Sequence, residues 1–131
     1  MTWLLYTLFG LLTTWALYLL YVNIACRAET EGRSSDDLVA ALPELARAPG
    51  RVLIYCFSER CAPCRRMSGT VDELRTEGRA IVKLDIGQHV ETARRVGIKA
   101  TPALLLVEHG RVTRCVIGVK SRHHMLALLG E

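Results

Sequence analysis

Cys61 and Cys64, separated by Ala62 and Pro63, are the residues of this 131-residue chain whose types and spacing fit a single reaction. Two thiols three positions apart at the first turn of a helix sit within disulfide-bonding reach. A thiolate there attacks other disulfides, and the thiolate is the reactive form. The unpaired backbone amides at a helix start and the positive end of its dipole favour negative charge on the Cys61 sulfur. Pro63 belongs in that first turn, where its missing N–H costs nothing, and it stiffens the loop that holds the two sulfurs together. Arg60, Arg65 and Arg66 add positive charge around the pair, so the Cys61 pKa is expected to shift downward, less so where salt screens exposed guanidinium groups. The pattern points to thiol–disulfide exchange, with Cys61 attacking and Cys64 resolving.

Two plainer readings of the pair are a zinc half-site and a static disulfide. Zinc wants a second ligand pair at a compatible distance, yet Cys56 falls in a strand, Cys115 stands alone, and His89, His109, His123 and His124 show no matched spacing. No metal is expected. A static bridge across three residues closes too short a loop to stabilise much. Cys56 and Cys115 read as small core hydrophobes, Cys26 as an inert or acylated juxtamembrane thiol, and His123 with His124 as solvated surface.

The elements that must position the pair follow from periodicity. Val52 to Phe57 is an unbroken apolar run rich in β-formers, the pattern of a strand covered on both faces. From Cys64, the apolar positions Cys64, Met67, Val71 and Leu74 recur at steps of three and four and define one helical face ending near Gly78. Ala80 to Ile86 is a second strand, which makes a parallel strand–helix–strand crossover. Val90, Ala93 and Val96 mark a short helix stopped by Gly97. Ala103 to Val107 and Val112 to Ile117 form a hairpin across Glu108–Arg111, and Ser121 caps a last helix carrying Met125, Leu128 and Leu129. Upstream, Ser34 or Ser35 caps a helix with Leu38, Leu42 and Leu45 on one stripe, kinked or restarted at Pro43, and Pro49-Gly50 turns into the first strand.

The amino-terminal part is a different material. All charged residues lie from Arg27 onward, while six of the eight aromatic residues precede Cys26. Trp3 to Val22 reads WLLYTLFGLLTTWALYLLYV, and a helix of that length spans roughly 30 Å, about the hydrocarbon thickness of a bilayer. Residues 1–25 are therefore expected to be a transmembrane anchor, 26–35 a polar linker, and 36–131 the folded domain. A cleaved signal would carry a basic start and a shorter apolar core. Arg27 and Arg33 follow the span and nothing basic precedes it, which places the domain on the cytoplasmic face, with a periplasmic or exported face as the alternative. A formal net charge of +4 is dispersed without aromatic stacking partners, so nucleic acid is not an expected partner, whereas a membrane surface is. A chain of this length leaves no room for a two-domain enzyme.

The stretch from Val52 to Leu129 resembles thioredoxin. The likeness is carried by RCAPCRRM, by VKLDIGQHVETARRVGIKATPALLLVEHGRVTRCVIGVKS with its Thr101-Pro102, Gly110 and Gly118, and by the final apolar helix, in that family's order and spacing. The resemblance implies a thioredoxin-like α/β fold, here a roughly four-stranded mixed sheet flanked by helices, because the family's first strand has no counterpart. It implies a cis Pro102 packed beside the cysteines, Thr101 pairing through its backbone with the substrate chain, and Ala62 and Pro63 facing that substrate. It implies no cofactor beyond the redox-active Cys61–Cys64 disulfide. The implied partners are protein disulfides or dithiols and an electron donor such as a thioredoxin reductase or a membrane dithiol carrier. Departures fall close to the site. Tyr55 replaces a buried aspartate, leaving Lys83 or water to handle the Cys64 proton; Arg60 replaces a tryptophan, Ala62 a glycine, and Gly69 a helix-kinking proline.

The reading is a membrane-tethered thiol–disulfide oxidoreductase, leaning to reductase. A non-catalytic tethered binding module and a Cu(I)-handling thiol protein are the alternatives.

Overall fold

The computed structural model describes residues 1–131. Its first element, α1 (Thr2–Thr30), is one unbroken helix. Thr7, Thr13 and Thr14 return their hydroxyls to carbonyls of the same helix, at 2.9 Å on Leu4, 2.9 Å on Gly10 and 2.8 Å on Gly10, so the threonines leave no unpaired hydroxyl in the apolar segment. Every residue from Met1 to Tyr21 is exposed, whereas Cys26 and Thr30 are buried against the domain.

The domain follows as α2 (Asp36–Ala41), a 3₁₀ turn (Pro43–Arg47), β1 (Arg51–Phe57), α3 (Ala62–Thr76), β2 (Ile81–Asp85), α4 (Val90–Val96), β3 (Ala103–Glu108), β4 (Arg111–Ile117) and α5 (Arg122–Leu128). The sheet has four strands in the order β2-β1-β3-β4. Only the β1–β2 pair is parallel, with Leu53 opposite Ile81 and Tyr55 opposite Lys83. β1 runs antiparallel to β3, and β3 to β4, where the register shifts between Leu106 and Val107. This is the mixed sheet expected from the strand–helix–strand pattern and the hairpin.

Alternation along each strand sends side chains to two cores. One holds Ile54, Cys56, Leu84, Leu105 and Cys115 under Leu38, Val96 and Cys26. The other holds Leu53, Tyr55, Leu104 and Leu106 under Met67, Val71 and Leu74 of α3 and Met125 of α5. Helices thus cover both faces. Pro43 restarts the chain as a 3₁₀ turn, because proline cannot donate the bond that would continue α2.

The linker expected over residues 26–35 is not a free tether. Residues 26–30 belong to α1, and the rest is tied to β4: the Gly32 amide donates to the Val112 carbonyl at 2.6 Å, the Val112 amide to Arg33 at 3.0 Å, and the Ser35 amide to Gly110 at 2.9 Å. β4 is an edge strand with unpaired backbone groups, and this polar segment covers them. The juncture is close. The Thr30 hydroxyl donates to the Gly97 carbonyl at 3.1 Å. Gly97 has φ +87°, and a Cβ there would stand 3.2 Å from the Glu29 Cβ, so α1 meets α4 where only glycine fits.

Candidate active site

β1 delivers the chain to Ser58, whose carbonyl accepts the Cys61 amide at 3.1 Å and turns it into α3. Cys61 is the N-cap of that helix, and its sulfur accepts the Cys64 amide at 3.2 Å, so one otherwise orphaned donor of the first turn is aimed at this sulfur. Cys61 and Cys64 form a disulfide with Cα atoms 5.2 Å apart. The two sulfurs are not equivalent in access: Cys61 is half-buried, while Cys64 is 1% exposed, on the α3 face that carries Met67, Val71 and Leu74. Ala62 and Pro63, between them, are exposed.

Tyr55 reaches the pair from beneath. Its hydroxyl donates to the Cys64 carbonyl at 2.8 Å and lies 3.1 Å from the Ser68 hydroxyl, which itself donates to the same carbonyl at 2.9 Å. Burial raises the Tyr55 phenol above its ordinary pKa, so it stays protonated and donating. Tyr55 therefore anchors the first turns of α3 through the backbone. Its hydroxyl does not contact either sulfur. The Cys64–Ser68 part was readable as an i, i+4 spacing on a helix; the tyrosine contact required the fold.

Lys83 is engaged elsewhere. Its ammonium lies 3.1 Å from the Asp72 carboxylate and 5.0 Å over the Phe57 ring. Arg60 is exposed and lines a polar cleft with Asp85 and Gln88, and Arg65 and Arg66 project to solvent. The Thr101–Pro102 bond is cis, Pro102 is buried, and its carbonyl accepts the Gly118 amide at 2.9 Å. Pro63, Thr101, Pro102, Gly118 and Val119 line one cleft of about 380 Å³, so the proline of the cysteine motif and the distant Thr101–Pro102 pair share a surface. Tyr18, Leu19, Val22 and Asn23 of α1 line the same cleft.

The other cysteines require corrections. Cys26 is neither inert nor free for acylation: it forms a second disulfide with Cys115, Cα atoms 6.5 Å apart, across a sequence separation of 89. Cys115 is thus a cross-link as well as a packing residue. The expectation failed because pairing between distant cysteines depends on which elements the fold brings together. Cys56 is the one free cysteine; it is buried, and burial pushes its thiol up to about 12. No group of three or more His, Cys, Asp or Glu side chains is clustered to hold a metal.

A strand-to-helix junction bearing a Cys-x-x-Cys disulfide, one sulfur reachable and one covered, on a four-stranded mixed sheet, defines a thiol–disulfide oxidoreductase. The thioredoxin family model matches residues 32–131. Among curated relatives, thioredoxin of Chlamydia caviae is 29% identical over 86 residues, covering 64% of this chain and 84% of that protein. Thioredoxin of Streptomyces clavuligerus is 29% identical over 94 residues, covering 70% and 86%. A solved point mutant of thioredoxin from Halobacterium salinarum shares the fold at a TM-score of 0.59 and 22% identity, covering 76% of this chain and 84% of that one. The chain belongs to the thioredoxin family.

Proposed function

We propose that this protein is a membrane-anchored thioredoxin whose domain works on the exported side of the membrane, reducing protein disulfides through Cys61. The observation that carries the catalytic part is the unequal access of the two sulfurs at the start of α3. The Cys61 thiolate attacks a client disulfide, a mixed disulfide forms and one client sulfur leaves. Cys64 then attacks the Cys61 sulfur, which releases the second client thiol and closes the Cys61–Cys64 bond. Thr101, Pro102, Ala62 and Pro63 border the surface on which the client chain lies. The reduced pair is regenerated by a dithiol donor.

The anchor rests on α1. Exposed Trp3, Leu4, Leu5, Tyr6, Leu8 and Phe9 begin an apolar surface that continues to Tyr21, and lipid is the solvent that such an all-round apolar helix requires. The side of the membrane rests on Cys26–Cys115. A buried structural disulfide persists in oxidising compartments and is rare in reducing ones. This outweighs the weak bias of two arginines toward the cytoplasm.

The test uses the full chain in detergent micelles, supplied with a small dithiol and a peptide disulfide. Turnover that disappears in Cys61→Ser supports the reading; equal turnover in that variant overturns it. A reporter fused after Glu131 that is active only outside the cytoplasm supports the exported side, and one active only inside overturns it.

A further inference from the structure

The start of α3 carries positive charge that the helix itself does not use. Arg65 and Arg66 stand in its opening turns, where the positive end of the helix dipole favours acids and disfavours cations, and no acidic residue occupies the first turn. Both side chains are exposed, and neither forms an ion pair or a hydrogen bond with another group of the chain. Elsewhere in the domain, Arg51 pairs with Glu108, Arg94 with Glu91 and Arg122 with Glu77. The first acid further along α3, Asp72, lies 3.1 Å from Lys83. Local stability therefore does not account for these two arginines.

Helical spacing sets them beside the reachable sulfur. Arg65 is four positions past Cys61 and three past Ala62, and Arg66 is three past Pro63. Residues at those spacings are surface neighbours on a helix, about 5–6 Å apart at Cβ. The Cα–Cβ bonds of a helix tilt toward its N-terminus, so both arginine stems lean back over the turn that holds Cys61, Ala62 and Pro63. Arg60 brings a third cation on the other flank, where Glu59 and Asp85 share its cleft and offset its charge. The Arg65–Arg66 flank has no carboxylate within ion-pair distance.

We propose that Arg65 and Arg66 select the client, and that the preferred substrate is a protein disulfide whose attacked cysteine is flanked by Asp or Glu. The proposal rests on the exchange reading above and adds to it the class of disulfide. A carboxylate next to the attacked cysteine meets the two guanidinium groups as the client sulfur meets Cys61, whereas a basic flank meets like charge. Arginine suits this task, because its planar fork takes a carboxylate through two parallel hydrogen bonds. The charges act on encounter and orientation, and the bond exchange at Cys61 and Cys64 is unchanged.

The test uses the full chain, reduced beforehand, in uncharged detergent micelles. Three peptides of one disulfide loop carry Glu, Gln or Lys on both sides of the attacked cysteine. Each second-order rate is divided by that peptide's rate with dithiothreitol, which removes the peptide's own reactivity. The Glu peptide is expected to exceed the Lys peptide about tenfold at low salt and about twofold in 0.5 M sodium chloride. The double variant Arg65→Gln, Arg66→Gln is expected to bring the low-salt ratio to within about twofold of one. Equal normalised rates for the three peptides overturn the proposal while exchange at Cys61 stands. A double variant that slows all three alike overturns it too, and assigns the arginines to the Cys61 thiolate instead of the client. Failure of every peptide to react with the reduced chain defeats the exchange reading and the selection with it.

Discussion

The Cys26–Cys115 bridge closes a loop of sequence separation 89 that contains nearly the whole domain, so its removal has a calculable cost. For a closed loop of that length, the chain entropy regained by the unfolded state is about 4.6 kcal/mol at 25 °C, and native bridges commonly deliver about 2–4 kcal/mol of such a sum. Replacing both cysteines by alanine is therefore expected to destabilise the domain by about 3 kcal/mol, a urea midpoint lower by roughly 1–3 M. The fold should survive, because Thr30 still bonds Gly97 and the Glu31 carboxylate still accepts the Cys115 backbone amide at 3.0 Å, a bond the alanine keeps. Cys56 supplies the assay. It is buried and is the only free thiol in both proteins, so pulse alkylation across a urea series under non-reducing conditions reports opening of the sheet itself. Equal stabilities, within about 0.5 kcal/mol, would refute a bridge that holds α1 to the domain.

Three further outcomes follow from particular contacts. Tyr55→Phe removes the 2.8 Å donor to the Cys64 carbonyl while Ser68 still serves it, and a loss of about 1 kcal/mol in urea unfolding is expected; no loss would mean the hydroxyl anchors nothing. Gly97→Ala forces a side chain into φ +87° and toward Glu29, so a loss of about 1–2 kcal/mol is expected from the same assay, and an unchanged midpoint would contradict the close juncture of α1 and α4. Cys56 has a folded pKa raised from 9.0 to about 12, so the stability it contributes is full below pH 9 and declines as pH rises from 9 to about 12; Cys56→Ala should lack that part of the alkaline slope, and identical slopes would show that the thiol is not desolvated.

The parts of the fold that local pattern controls were legible in the sequence. The spacing of Cys64, Met67, Val71 and Leu74 marks the buried face of α3, and Gly97 ends α4 in the left-handed conformation its position suggested. Val52–Phe57 and Ala103–Val107 lie within β1 and β3 as expected of apolar runs. What depends on contacts between distant segments was not legible. Residues 26–35 look like a polar tether because their composition does not disclose that β4 lacks a backbone partner on one side. Cys26 and Cys115 carry no spacing signal at a separation of 89. The family pattern sets Lys83 beside the cysteine motif, and its ion pair with Asp72 on the neighbouring helix at 3.1 Å is a contact that pattern does not disclose. The site was readable at Cys61 and Cys64, whose chemistry needs only three residues of spacing, and unreadable at Tyr18, Leu19 and Val22, whose hydrophobicity is fully explained by lipid until the fold lays them beside Pro63.

The most direct measurement is disulfide trapping with the full-length chain and an activated peptide disulfide, comparing Cys61→Ser with Cys64→Ser by non-reducing mass analysis. Unequal access of the two sulfurs predicts a stable mixed disulfide at Cys61 in Cys64→Ser and none at Cys64 in Cys61→Ser. Equal adducts in both variants, or an adduct confined to Cys64, would contradict the assignment of Cys61 as the attacking sulfur.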